Sequence, residues 1–186
     1  MYHKVSSEID KEIFNKLWGE ACIEKGFELE STSSHSALFL IYNKEKSPIG
    51  TVELIPYENV ENNAEKVFPF SSLDMIKQNP TEVFEIDKVS LLKKYRGSNL
   101  KKILNIIYSY AVDNDYTYGI TLLEPLFYRS LKTFYKIPIK RVTKEKIFYK
   151  GDYVIPSIID FGIVKSNVKD YKWFLKINEN DLAIMK

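Results

Sequence analysis

V-F-E-I-D-K-V-S-L-L-K-K-Y-R-G-S-N-L-K-K-I-L, residues 83–104, decides how this chain is read. Its first ten residues, 83–92, are rich in apolar side chains and have strand composition. A short basic turn with one glycine follows at 93–99. From Asn99 on, the spacing of Leu100, Ile103, Leu104, Ile107, Tyr110 and Ala111 predicts an amphipathic helix over 99–115. A strand that ends in such a turn and reopens as a helix points unpaired N–H groups, and the positive end of the helix, at one spot. That spot suits a phosphate or pyrophosphate, so the chain is expected to bind a phosphorylated cofactor there.

Residues 116–123 form the next expected strand, and 125–135 a helix started by Pro125 and ended by Pro138. The strands at 83–92 and 116–123 flank one helix, so they are expected to run parallel through a right-handed crossover. Upstream, 37–42 and 49–55 pair as an antiparallel hairpin about a turn at 44–48. Residues 10–25 place Ile13, Leu17 and Ala21 on one helical stripe, widened by Phe14 and Trp18; Ser7 or Asp10 caps the start and Gly26 the end. Trp18 and Cys22 read as core residues. The long connection at 56–82, with a short helix expected in 71–79, is of the length that is usually functional or mobile. Closing strands are expected at 140–149, 154–161 and 172–177. The expected fold is α/β (α+β): a mixed, twisted, mostly antiparallel sheet with a central parallel strand pair and helices on both faces. One domain spans 1–186, with 56–82 as an insertion or substrate-side connection.

Composition narrows the function classes. The chain has 186 residues, 45% of them hydrophobic, and a net charge of +2, too balanced to imply nucleic acid. Cys22 is the only cysteine, which excludes an internal disulfide and a thiolate zinc site; His3 and His35 are far apart in polar surroundings, so no metal is expected. Glu8, Asp10 and Glu12 interrupt the N-terminus where a signal peptide would be apolar, and no apolar run approaches a membrane span. The expectation is a soluble, cytoplasmic protein with no nucleic-acid or membrane partner. Its oligomeric state is not legible.

The order helix, hairpin, strand, basic turn, helix, strand, helix, strands resembles the GNAT superfamily of N-acyltransferases. The family's turn follows an apolar strand end with Arg or Gln, two residues, Gly, any residue, and Gly or Ala. The corresponding run here is Leu91-Leu92-Lys93-Lys94-Tyr95-Arg96-Gly97-Ser98-Asn99-Leu100-Lys101. Arg96 and Gly97 match; Asn99 replaces the central glycine and Lys101 the last small residue. Asn tolerates left-handed backbone angles, so Asn99 is expected to keep the turn. Lys101, with Lys93, Lys94 and Lys102, is expected to reach a phosphate. The alternative is a solvated basic helix start.

Phe134-Tyr135-Lys136-Ile137-Pro138-Ile139 resembles the family segment whose tyrosine protonates the departing thiolate. This makes Tyr135 the first candidate and Tyr128 the second, against the alternative that both pack with hydroxyls at the surface. Glu85-Ile86-Asp87-Lys88-Val89-Ser90 resembles a strand of a narrower branch, the acyl-homoserine-lactone and N-acyl amino acid synthases, with Asp87 and Lys88 standing where that branch has Ser or Thr and Arg. Val67-Phe68-Pro69-Phe70 and the run from Tyr149 to Pro156 resemble the same branch. The resemblance implies acetyl-CoA or another acyl-CoA as co-substrate and a small amine or amino acid as acceptor. For the narrower branch it implies acyl carrier protein as donor.

Acyl transfer needs a neutral amine, and hence a base. Glu85 and Asp87 lie two apart on a strand and face one side unless a bulge intervenes; mutual repulsion raises at least one pKa. Glu85 is the preferred base, with Glu53 able to share the role; the alternative is structural, with Asp87 pairing with Lys88 or Lys140 for solubility. An N–H at Leu91 or Leu92 is expected to stabilise the tetrahedral oxyanion if the strand splays from 116–123 there. Ser98 and the amides from Gly97 to Lys101 would hold the pyrophosphate. Phe68, Phe70, Phe148 and Tyr149 either shape a pocket or belong to the core. No nucleophilic triad is visible, so direct attack is expected. The rival from another class is a CoA-binding or interaction module without catalysis.

Overall fold

The computed structural model describes residues 1–57 and 62–171, so the strand expected at 172–177 lies outside the described residues. The chain begins with a strand the sequence reading missed, β1 (Tyr2–Lys4), followed by α1 (Glu8–Lys25). Ser7 caps α1 by accepting from the Asp10 amide, and Gly26 ends it in the left-handed region at φ 70°. Then come β2 (Ala37–Tyr42), β3 (Pro48–Pro56), α2 (Asn63–Val67), α3 (Asp74–Gln78) and β4 (Val83–Leu91). The second half holds α4 (Leu100–Asp113), β5 (Tyr118–Leu123) and α5 (Pro125–Arg129), which widens into one π turn over Ser130–Phe134. It closes with β6 (Ile139–Arg141), β7 (Ile147–Tyr149), β8 (Asp152–Asp160) and α6 (Phe161–Ser166). The strand expected at 140–149 is thus two short strands, each pairing with a different part of β8. The helices α2 and α6 were not anticipated.

The described residues form an eight-stranded sheet in the order β1-β2-β3-β4-β5-β8-β6, with β7 also on β8. Only β4 and β5 run parallel; every other pair is antiparallel. Helices cover both faces. On β2, Leu38 and Leu40 meet Phe14 and Leu17 of α1, while Phe39 and Ile41 point the other way into a core with Ile103, Leu104 and Ile107 of α4. This is the strand's two-residue alternation matched to two amphipathic helices. A third cluster joins Ala64, Phe70 and Ile76 to Val83, Ile120 and Ile158, seating the connection between β3 and β4 on the sheet.

Two irregularities open the sheet at its centre. The first is a β-bulge: between the pairs Glu53↔Asp87 and Thr51↔Ser90, β4 carries one residue more than β3. Lys88 sits in it at φ 44°, a left-handed angle that a lysine adopts only when its surroundings dictate it. The Thr51 hydroxyl donates to the Lys88 carbonyl at 2.7 Å and helps hold the bulge. The second is a divergence of the parallel pair. The β4–β5 ladder covers only Val83–Glu85 against Tyr118–Ile120, and beyond it the Thr121 hydroxyl donates to Ile86 O at 3.0 Å. Past that stitch the strands part.

Candidate active site

The gap between β4 and β5 continues as a cavity of about 700 Å³. Its walls come from α1 (Trp18, Ala21, Lys25), the distal half of β4, the end of β5, and the α5–π segment (Phe127, Ser130, Phe134, Tyr135). One end opens beside Arg96, Gly97 and Leu100; the other reaches Glu85, Asp87, Lys88, Glu30, Tyr149 and Lys150.

Main-chain geometry makes the gap polar along one edge. The Leu92 N–H donates to Ile49 O at 2.9 Å, so in an antiparallel ladder the amide of Leu91 faces away from β3 and into the gap. Of the two expected oxyanion donors, Leu91 is therefore available, and Leu92 is corrected to a ladder residue. At the turn, Gly97 supplies the left-handed angle (φ 84°), and an added Cβ there would meet nothing within 4 Å. Asn99 lies instead at φ −101°, ψ −1°, so its tolerance of left-handed angles is not what keeps the turn; its side-chain amide donates to Tyr95 O at 2.9 Å and to the Ser98 hydroxyl at 3.2 Å. The Ser98 amide bonds Arg96 O at 3.1 Å and the Leu100 amide bonds Gly97 O at 3.4 Å. The amides of Gly97, Asn99 and Lys101 have no acceptor among the described residues. Leu100 lines the cavity, and Lys101 is exposed. Lys102 does not reach the turn: its ammonium donates to Tyr42 O at 2.7 Å. Nor is the Arg96 side chain turned to an anion. It forks onto Glu24 through two bonds of 2.8 Å, and its Nε donates to Leu91 O at 3.0 Å.

The inner end of the cavity is a buried charge cluster. The bulge puts Asp87 and Lys88, sequence neighbours, on one face of β4 together with Glu85. Lys88 is 1% exposed; its ammonium pairs with Glu53 and, at 3.1 Å, with Asp87. Burial would lower the lysine's pKa, but the charges of Asp87 and Glu53 outweigh it and hold Lys88 above its ordinary value. Glu53 also accepts the Ser33 amide at 2.8 Å. Glu85 is 2% exposed and accepts from the Ala64 amide at 2.8 Å and the Asn62 side chain at 2.9 Å. Burial first, and Asp87 second, push its pKa up to about 7. Asn63 donates to Asp87 at 3.3 Å. The 56–82 connection thus reaches the site through Asn62, Asn63 and Ala64. Beyond, Lys150 pairs with Glu30, which also accepts from the Tyr149 hydroxyl at 3.3 Å.

The two tyrosines divide. Tyr135 lies half-buried on the cavity wall; Tyr128 is buried outside it, its hydroxyl accepting from the Lys132 ammonium at 3.3 Å and the Arg141 guanidinium 5.6 Å from its ring centre. Of the four pocket aromatics, Tyr149 lines the cavity, Phe68 and Phe70 belong to the third core cluster, and Phe148 is exposed against Tyr153. Trp18, expected in the core, also lines the cavity; Cys22 is buried, which pushes its thiol pKa up. Thr121, Lys88 as a cluster organiser, Glu30 with Lys150, and the pairs Glu24–Arg96 and Lys25–Glu124 were not read as site features. Asn62 stands at the N-cap position of α2 but makes no side-chain cap; its amide, like that of Asn63, is spent on the carboxylates of β4. Among the described residues, no group of three or more His, Cys, Asp or Glu could hold a metal, and no helix is long and apolar enough to cross a membrane.

No family's sequence profile matches the chain, and no curated protein does. Solved structures do. FeeM, an N-acyl amino acid synthase from uncultured soil microbes, superposes with a TM-score of 0.70 at 9% identity, covering 89% of this chain and 93% of its own. The CoA-dependent acyl-homoserine lactone synthase BjaI, with SAM and isopentyl-CoA, gives 0.67 at 11%, covering 91% and 89%. The AHL synthase LasI gives 0.64 at 10%, covering 87% and 89%. At such identities the likeness is one of fold, and the fold of this chain is GNAT-like.

Proposed function

We propose that the protein is an N-acyltransferase that takes its acyl group from a phosphopantetheine thioester, acyl-CoA by default, and transfers it directly to a small amine or amino acid. The reading treats the chain as one domain with 56–82 on the substrate side. The observation that carries it is the single cavity joining the open Gly97 turn to the Glu85 cluster. The unpaired amides of Gly97, Asn99 and Lys101 would take the pyrophosphate. The thioester arm would lie in the gap as an extra strand, with its carbonyl at the Leu91 N–H. Glu85, with a pKa of about 7, has one lone pair on each oxygen left to take the amine's proton, directly or through water. Tyr135, on the cavity wall, would give a proton to the departing thiolate.

One observation favours a second reading, a synthase of the N-acyl amino acid or lactone kind fed with longer acyl groups. The cavity has an apolar wall (Ile103, Leu123, Phe127, Val154) and far more room than an acetyl group needs. The experiment is a thiol-release assay with acyl-CoAs of increasing chain length, and with acyl carrier protein thioesters, against a panel of amines and amino acids. Release that depends on the amine and survives in buffer without metal is the expected result. A rate optimum beyond acetyl selects the second reading. Binding of CoA with no release across the panel selects the non-catalytic module.

A further inference from the structure

The last turn of α1 carries Glu24 and Lys25, neighbours of opposite charge that reach to opposite sides of the gap. Glu24 takes the fork of Arg96, beyond the end of β4, through two bonds of 2.8 Å. Lys25 takes Glu124, just past β5, at 2.9 Å. Lys25, Arg96 and Glu124 all line the cavity. The helix end is thus strapped across the mouth of the diverging strands, and the strap ends beside the three unpaired amides of the turn.

The planar fork of a guanidinium that seats a carboxylate also seats a phosphate. Resting on the function proposed above, we infer that Glu24 is an internal stand-in for the donor's phosphate. Binding of a phosphopantetheine donor displaces Glu24 from Arg96, and this exchange sets donor affinity. The geometry suits an exchange. The side chains of Arg96 and Glu24 are 39% and 36% exposed, so the pair is a solvated one that yields to a stronger competitor, unlike the buried Lys88 pairs. A phosphate brings more charge than a carboxylate and can also use the Gly97, Asn99 and Lys101 amides, which Glu24 leaves unused. Arg96 stays oriented throughout by its Nε bond to Leu91 O. The Lys25–Glu124 pair keeps α1 attached on the β5 side while the β4 side opens.

The test is calorimetric titration of the full chain with CoA in one arm and a holo acyl carrier protein in the other, using wild type, E24Q, R96Q and the double variant at one salt concentration. E24Q is expected to bind its donor about two- to fivefold more tightly, the scale of releasing an exposed ion pair. R96Q is expected to bind more weakly, and E24Q to have no effect in the R96Q background. Should R96Q fail to fold, R96K, which keeps the charge and loses the fork, takes its place. Unchanged or weaker binding by folded E24Q in both arms overturns the exchange alone. An equal gain with Arg96 absent also overturns it. A wild type that binds neither donor overturns the site's reading and the exchange with it.

Discussion

The two ends of the cavity handle charge in opposite ways. At the Gly97 turn the groups that stand free are main-chain amides, open to solvent, and the nearby side chains are already engaged: Arg96 with Glu24 in an exposed pair open to exchange, Asn99 with Tyr95, Lys102 with Tyr42. At the Glu85 end the useful groups are side chains, with Glu85, Lys88 and Glu53 almost fully buried and Asp87 partly so, and each is held by a specific partner. A main-chain site tolerates substitution wherever the backbone path survives. On the proposed reading, that is how Asn99 and Lys101 can stand where the GNAT turn that this segment resembles has small residues. A buried side-chain site tolerates little, because every charge removed from it leaves another unpaired.

The sharpest break of that comparison is K88M. It leaves Glu53 and Asp87 without their cation in a buried setting, and is expected to cost about 3–5 kcal/mol of stability in urea unfolding. A loss near zero would mean the cluster is solvated like the turn. Next is E85Q, expected to lower kcat/KM by about 10²–10³ and to remove an ionisation near pH 7 from its pH profile. The same group predicts a stability signature. Its native pKa lies above the ordinary value, so the folded state binds the proton more tightly than the unfolded chain. Stability therefore falls as pH rises from about 4.5 to about 7 and levels off above, and E85Q should flatten that slope in a series of thermal melts. Y135F is expected to slow turnover by about 10² while leaving CoA affinity nearly unchanged; full activity would place the proton source in water.

At the turn the effects shrink. G97A has room for its methyl but must adopt φ 84°, and is expected to cost about 1 kcal/mol, shared between folding and donor affinity. K101A, on an exposed side chain, is expected to weaken CoA binding by about twofold or less, mostly at low salt. If K101A cost more than G97A, the Lys101 ammonium rather than the main-chain path at Gly97 would hold the anion and the contrast would fail.

Legibility in the sequence followed the same division. The period-2 and period-3.6 patterns gave β2, β4, α1, α4 and the parallel β4–β5 pair to within a residue or two, because there the core face and the local pattern coincide. Elements held by partners far along the chain were missed: β1 is too short to show a pattern, and α2 is fixed by Glu85 accepting from Ala64 and Asn62. The bulge at Lys88 was invisible because lysine gives no hint of a positive φ. The ion pair of Asp87 with Lys88, offered by the sequence as a solubilising alternative, does form, but the bulge buries the lysine and adds Glu53 to it, which no local pattern shows. Glu85 and the Gly97 turn were legible as site candidates, whereas the pairing of Arg96 with Glu24 joins residues 72 apart and no local rule anticipates it.

The central claim is that a thioester donor occupies the gap between β4 and β5. A crystal structure with a non-hydrolysable acyl-thioether analogue of CoA tests it most directly. The expected result is the diphosphate at the amides of Gly97, Asn99 and Lys101, with the acyl carbonyl at the Leu91 N–H and the chain directed toward Glu85. A ligand bound elsewhere, with the gap unchanged at concentrations that saturate the protein, would contradict it.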